Sequence, residues 1–219
     1  MLFEYPKKAA FNRVVPKTKF YERAKPTKTV KDKFVSQVAQ VVWSYKLAPE
    51  TKNLPASKGV SEIQVFTITA KSETLGEDVL RCIDRSIPSP IVFEIHFDSK
   101  VKLVAAYKRT NEADSTSWVV ERYFATDWIP SDTTRHSLPV VLDMSNLYEK
   151  MLVPLLGLSQ RNGESLRELV QRASAIRSKQ DELKKLTSKI TSEKQFNRKV
   201  ELNSELRTIQ TEIELLSSN

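Results

Sequence analysis

The stretch Ile91-Val-Phe-Glu-Ile-His-Phe-Asp-Ser-Lys100-Val-Lys-Leu-Val-Ala-Ala-Tyr-Lys108 decides the first half of the fold. Ile91, Phe93, Ile95 and Phe97 alternate before a polar break, and Val101, Leu103, Ala105 and Tyr107 alternate after it, the period-two pattern of a β-hairpin. The two apolar sets share a face only if Asp98-Ser99-Lys100 is the loop; this pairs Phe97 with Val101 and Ile95 with Leu103, and gathers Glu94, His96 and Lys102 on the opposite face. A strand over 117–126 extends the meander beyond the polar loop 111–116, and a strand over 61–70, with Ile63, Val65, Phe66 and Ile68, precedes it. Upstream, Val30, Phe34, Val38, Val41, Val42 and Tyr45 recur at helical spacing behind a capping box of Thr29 and Asp32, which predicts a helix over 29–47 ended by Pro49. Shorter helices are predicted over 75–87 and over 145–156, the second closed by Gly157.

Beyond Gly163 the chain has neither glycine nor proline. Leu169, Ala173, Ile176, Gln180, Leu183, Thr187 and Ile190 keep steps of four and three, as do Leu202, Leu206, Ile209, Ile213 and Leu216, and the two seams are out of phase. An antiparallel hairpin with its tip near 190–194, where Ser192 and Gln195 have capping-box spacing, explains both facts; one continuous helix with a phase shift is the alternative. The expected fold is therefore α+β: a small antiparallel or mixed sheet with flanking helices, then a long C-terminal antiparallel helical hairpin of the coiled-coil type. Its segments are a basic N-terminal arm (1–28), an α/β domain (29–157) and the hairpin (163–219).

The formal charge of +8 is unevenly distributed: residues 1–33 alone carry +7, and the rest is close to neutral. Lys17, Lys19, Arg23, Lys25, Lys28, Lys31 and Lys33, interleaved with Phe20 and Tyr21, form a surface suited to a phosphate backbone or to an acidic protein; a solvated arm wrapped over its own domain is the plainer alternative. No stretch reaches the roughly 18 apolar residues of a membrane span, and the opening residues lack the order of a signal peptide, so a cytoplasmic location is expected. The lone Cys82, among Val79, Leu80 and Ile83, reads as a small core residue.

Four isolated glycines (Gly59, Gly76, Gly157, Gly163) exclude a phosphate-binding loop and a dinucleotide fingerprint. One cysteine and two histidines (His96, His136) leave no zinc-binding spacing and no Cys–His pair, and no cofactor is expected. Metal-dependent nuclease chemistry can run on Asp, Glu and Lys alone. Two features bear on it: Glu94, His96 and Asp98 at alternate strand positions, and Asp98 followed ten residues later by Ala106-Tyr107-Lys108, an echo of an Asp then Glu-x-Lys pattern with alanine where an acid belongs. Active nuclease, degenerate nuclease and solvated sheet face all remain open here. So does nucleic-acid contact by Tyr107-Lys108-Arg109.

Several short motifs in order resemble the bacterial domain of unknown function 4391 family. These are Pro16-Lys17-x-Lys19-Phe20-Tyr21, Trp43 with Lys46-Leu47-Ala48-Pro49-x-Thr51, Glu62-Ile63-Gln64-Val65-Phe66, Val79-Leu80 with Ile83-Asp84 and Ile87-Pro88, Ala106-Tyr107-Lys108, Thr126-Asp127-Trp128 and Leu147-Tyr148-Glu149. The resemblance covers roughly residues 1–157 and implies a gene context beside helicases and DNA methyltransferases in restriction-modification-like or phage-defence clusters. It supplies no catalytic residues. The combined expectation is a non-catalytic accessory subunit. Its basic arm would meet DNA or a partner, and its coiled-coil hairpin, held by the seam that includes Leu169, Ile176, Leu183, Leu202, Leu206, Ile209 and Ile213, would dock on a helicase or methyltransferase subunit with its mixed-charge exterior. The alternatives are a nuclease using Glu94, His96, Asp98 and Lys108, and a structural homodimer.

Overall fold

The computed structural model describes residues 1–57, 59–110 and 118–218, with the side chains of Arg109 and Thr110 outside the description. The loop expected at 111–116 lies outside the described residues. The chain divides into two compact units, Met1–Leu155 and Leu156–Asn219. No helix among the described residues is long and apolar enough to cross a membrane.

In the first unit, strands β1 (Leu2–Glu4), β2 (Ala10–Val14), β3 (Val38–Leu47), β4 (Ile63–Ala70), β5 (Ile91–Phe97), β6 (Lys100–Thr110), β7 (Trp118–Ala125), β8 (Ile129–Pro130) and β9 (Arg135–Ser137) alternate with helices α1 (Lys17–Ala24), α2 (Lys28–Gln37), α3 (Pro49–Lys52), α4 (Glu77–Arg85) and α5 (Met144–Leu152). The main sheet runs β2-β3-β4-β5-β6-β7, with β8 on β6, and β1 pairs β9 separately. Among the described residues, only the β4–β5 step of the main sheet is parallel, because α4 crosses over between these strands; the expected mixed α+β architecture is present. Phe20, Phe34, Val79, Leu80 and Ile83 of α1, α2 and α4 pack with Phe66, Ile68, Phe93, Ile95 and Ala106 of the sheet in one core.

The helix predicted over 29–47 stops at Gln37, and Val38–Leu47 is a strand. Val38, Val41, Ser44 and Leu47 are the buried residues of β3, a spacing of three that imitates a helix. Two register shifts, between Val38 and Gln40 and between Trp43 and Tyr45, produce it by resetting the alternation of a strand rich in β-branched and aromatic residues. Helix α2 begins on Thr27, whose hydroxyl accepts the Val30 N–H at 3.4 Å, rather than on the expected Thr29 box. Its last turn is held by ammonium donors: Lys17 Nζ to Phe34 O (2.8 Å) and Val38 O (2.6 Å), and Lys71 Nζ to Val35 O (2.7 Å).

The β5–β6 hairpin exists, with a register one residue from the expected one: Phe97 faces Lys100, Ile95 faces Lys102 and Glu94 faces Leu103. The loop is the two residues Asp98-Ser99, with Asp98 at φ 52°. Both faces of β5 are buried from Ile91 to Ile95, so the rule that one face must be apolar had nothing to select. Lys102 therefore does not join Glu94 and His96; its ammonium lies 4.6 Å from the Trp128 ring centroid.

The first 28 residues, expected as an arm, are part of this unit. They supply β1, β2 and α1, and Leu2, Phe3, Tyr5 and Phe20 are buried. Their apolar residues sit at anchoring positions that outweigh the basic composition between them.

The second unit is an antiparallel helical hairpin of α6 (Leu166–Ser192) and α7 (Phe196–Ser217). Leu186, Leu202 and Ile209 are buried in its seam with Leu183, Ile190, Leu206 and Ile213 around them, and Leu169 and Ile176 are buried on α6. Gln180 and Thr187, expected in the seam, are exposed; the seam keeps the expected Leu183 and Ile190 and takes Leu186 in place of Thr187, since a leucine buries more apolar area than a threonine one position away. The break falls at Glu193–Gln195. Glu193 Oε1, not a Ser192–Gln195 box, accepts the N–H groups of Lys194 (2.7 Å) and Gln195 (2.9 Å) there. At the other end of the hairpin, Arg161 and Arg172 donate to Leu216 O (3.3 and 3.0 Å), closing the C-terminus of α7, and Glu164 holds Arg172 at 2.7 Å.

Candidate nucleic-acid interface

Helices α1, α2 and α4 lie together over one core with their apolar sides inward, which leaves the opposite sides to polar residues. The seven bases singled out in the sequence divide there. Lys17 is turned inward on the carbonyls that end α2, and burial, with Lys71 nearby, holds its ammonium below the usual lysine range. Lys33 bridges to Asp78 of α4 at 2.6 Å. The other five, Lys19, Arg23, Lys25, Lys28 and Lys31, are exposed. Lys19 meets Glu22 at 3.1 Å in a solvated pair of small energetic weight.

Two further bases, Arg81 and Arg85, join this surface from α4. With Lys25, Thr27, Val30 and Asp78 they line a cavity of about 160 Å³ between α4 and the α1–α2 connection. Asp78, the acid of that lining, is engaged by Lys33. Arg23 donates to Ser86 O at 3.2 Å, just beyond the end of α4, and lines a neighbouring cavity of about 210 Å³ with Lys19, Phe20 and Trp43. Arg81, Arg85 and Lys25 thus line one concavity and Arg23 and Lys19 another, basic linings suited to phosphate oxygens. The i, i+4 spacing of Arg81 and Arg85 is legible in the sequence; their meeting with Lys25 depends on the fold.

Buried polar contacts hold α4 in place. Lys108 Nζ lies 2.5 Å from Asp84 Oδ1 and donates to Ser89 O at 3.0 Å, and the Tyr123 hydroxyl donates to Asp84 Oδ2. Burial, reinforced by Asp84, pushes the Tyr123 hydroxyl far above its ordinary value. The network continues through Ser89 Oγ to Glu62 (3.2 Å), Gln64 Nε2 to Glu62 (2.7 Å), Trp43 Nε1 to Gln64 (2.8 Å) and Lys46 to Glu62 (2.8 Å). Tyr148 donates to Ala106 O at 2.5 Å. Trp43, Lys46, Glu62, Gln64, Asp84, Lys108 and Tyr148 all belong to the short motifs of the sequence, which here hold the sheet and seat α4. Arg81 adds a bond to Val120 O (3.1 Å) and lies 5.5 Å from the Tyr123 ring centroid.

The four nuclease candidates are not brought together. Glu94 and His96 approach to 3.7 Å, but Glu94 is buried and clamped by Arg135 through Nη1 (2.8 Å) and Nη2 (2.9 Å). Burial alone would raise its carboxyl; Arg135 and then His96 outweigh that and hold it below the usual carboxylate range. Asp98 occupies the hairpin turn, and the acid beside Lys108 is Asp84. Among the described residues no group of three or more His, Cys, Asp or Glu is placed to hold a metal ion. The side chain of Arg109 lies outside the described residues. Cys82 is buried, and burial pushes its thiol up, away from reactive thiolate behaviour.

No curated protein and no solved structure matches the chain. A family model described as "Domain of unknown function (DUF4391)" matches residues 3–213, so it extends past the quoted motifs, which stop at Glu149, and takes in most of the hairpin as well as the α/β unit. The chain belongs to the DUF4391 family.

Proposed function

We propose that this protein is a non-catalytic accessory subunit of a restriction-modification-like or phage-defence assembly. In this reading the basic surface of α1, α2 and α4 contacts nucleic acid, and the helical hairpin docks on a helicase or DNA methyltransferase subunit. The observation that carries the first half is the cavity lined by Lys25, Arg81 and Arg85, whose one acid, Asp78, is paired with Lys33, with Arg23 and Lys19 lining a second cavity on α1. The second half rests on the gene context that the family resemblance implies and on a hairpin whose seam is complete within itself, leaving its outer faces to a partner.

Phosphate contacts of this kind give affinity with little sequence preference and a steep dependence on salt. The test is duplex binding by the full chain over a range of salt, against an Arg23→Gln, Lys25→Gln, Arg85→Gln variant. The reading expects the log–log slope to fall by about 2 to 3, at roughly 0.9 for each phosphate that is no longer neutralised. An unchanged slope would remove this surface from the account.

A further inference from the structure

The outside of the hairpin is electrically polarised. Over 184–200, Lys184, Lys185, Lys189, Lys194, Arg198 and Lys199 face one acid, Glu193, a balance of +5 around the turn. The remaining stretches of the two helices, 164–183 and 201–218, carry five bases against eight acids, a balance of −3. Glu193 is engaged locally on the N–H groups of Lys194 and Gln195, and Arg198 pairs with Glu201 at 2.5 Å in the open. Lys184, Lys185, Lys189 and Lys194 are exposed and carry no ion pair among the described residues. The opposed ends of α6 and α7 meet at the turn, so their helix dipoles largely cancel and the lysines set the local field.

Phe196 follows the turn within this basic stretch. It is the first residue of α7 and is 78% exposed, with Val200 one turn on at 53%. Neither belongs to the buried seam, which Leu186, Leu202 and Ile209 fill. A large aromatic ring left in water, with Lys194 two residues before it and Arg198 and Lys199 two and three after, therefore serves no folding purpose visible in the hairpin.

We infer that the turn end of the hairpin is a second nucleic-acid contact, one that takes a single-stranded segment with its phosphates on the lysines and one base stacked on Phe196. Lysine is depleted in protein–protein interfaces, whose centres need more apolar area than one ring and one valine, whereas nucleic-acid interfaces are strongly positive. A membrane surface would require a continuous apolar face, and the hairpin has used its own between the helices. Stacking on an exposed ring beside phosphate-binding lysines is how unpaired strands are held without sequence preference. This inference goes beyond the preceding reading and stands on different residues.

The test uses the full chain with an oligothymidylate and a duplex of equal length. Replacing Lys185, Lys189 and Lys194 together by Gln is expected to lower the salt slope for the single strand by about 2, at roughly 0.7 per neutralised phosphate, while the corresponding Arg variant keeps it. Phe196→Ala is expected to weaken single-strand binding about tenfold, to leave its salt slope unchanged and to spare the duplex. An unchanged slope in the triple Gln variant, or equal effects of Phe196→Ala on both ligands, would overturn the proposal. So would loss of polyglutamate binding, rather than oligonucleotide binding, in the triple variant, which would point to an acidic protein. The Arg23, Lys25, Arg85 variant run alongside separates the two surfaces, since each is affected only by its own substitutions.

Discussion

Replacing Lys108 by methionine removes one half of an ion pair whose side chains are 1% and 0% exposed. Asp84 would keep the Tyr123 hydroxyl but lose its counter-charge, and Ser89 O would lose its ammonium donor. Breaking a buried pair from one side costs about 3–5 kcal/mol, because an uncompensated charge stays inside. At roughly 2–4 °C per kcal/mol for a unit of this size, Tm should fall by about 10 °C. The double variant Asp84→Leu, Lys108→Met takes both charges away together and is expected within about 2 kcal/mol of the parent. Urea unfolding of the parent, both single variants and the double gives the coupling directly. A single-variant loss below about 1 kcal/mol, or a double loss equal to the sum of the singles, would refute the view that this pair seats α4. The functional consequence would show in the same proteins: the Lys108 variant should lose nucleic-acid affinity through displaced Arg81 and Arg85, and the double should regain part of it.

The Glu94–Arg135 clamp predicts a pH-dependent gap. A carboxyl held below its unfolded value contributes stability above pH of about 4.3, and that contribution disappears as pH falls through the folded value, so Arg135→Ala should cost about 1–3 kcal/mol at pH 7 and progressively less below pH of about 4; a gap constant with pH in urea titrations would contradict it. Glu164 is held at about 2 by Arg172 and then by the Arg161 N–H, and carboxyl NMR titration should find it moved back toward the ordinary range in Arg172→Ala. In the hairpin seam, Leu186→Ala should cost about 2–4 kcal/mol in helix melting while Thr187→Ala stays within about 0.5 kcal/mol, and the reverse order would restore a seam running through Thr187.

What was legible in the sequence follows from which signals were local. The hairpin of Leu166–Ser217 is written in heptad-like steps with no breaker, and the strands over 63–70 and 118–125 in β-branched composition. The β3 strand was hidden because its bulges place Val38, Val41, Ser44 and Leu47 inward at a spacing of three, and a one-dimensional pattern cannot tell that from a helix. The β5–β6 register failed for a related reason: burial on both faces erases the alternation that fixes it. At the candidate site, the basic composition of α1 and α2 was visible, but which lysines turn inward was not. Lys17 and Lys33 look like Lys19 and Lys28 until the carbonyls of α2 and Asp78 are in place. For Lys108, the echo of an Asp then Glu-x-Lys pattern groups it with Asp98, ten residues away. The fold supplies Asp84 from a different element.

The accessory-subunit account is tested most directly by affinity purification from the native host, comparing the full chain with one ending at Leu155, where the first compact unit closes, and identifying the co-purifying proteins by mass spectrometry. The account predicts that a helicase or DNA methyltransferase subunit accompanies the full chain and is absent from the shortened one. Recovery of both chains alone, or of the same partner with each, would contradict the assignment of docking to the hairpin.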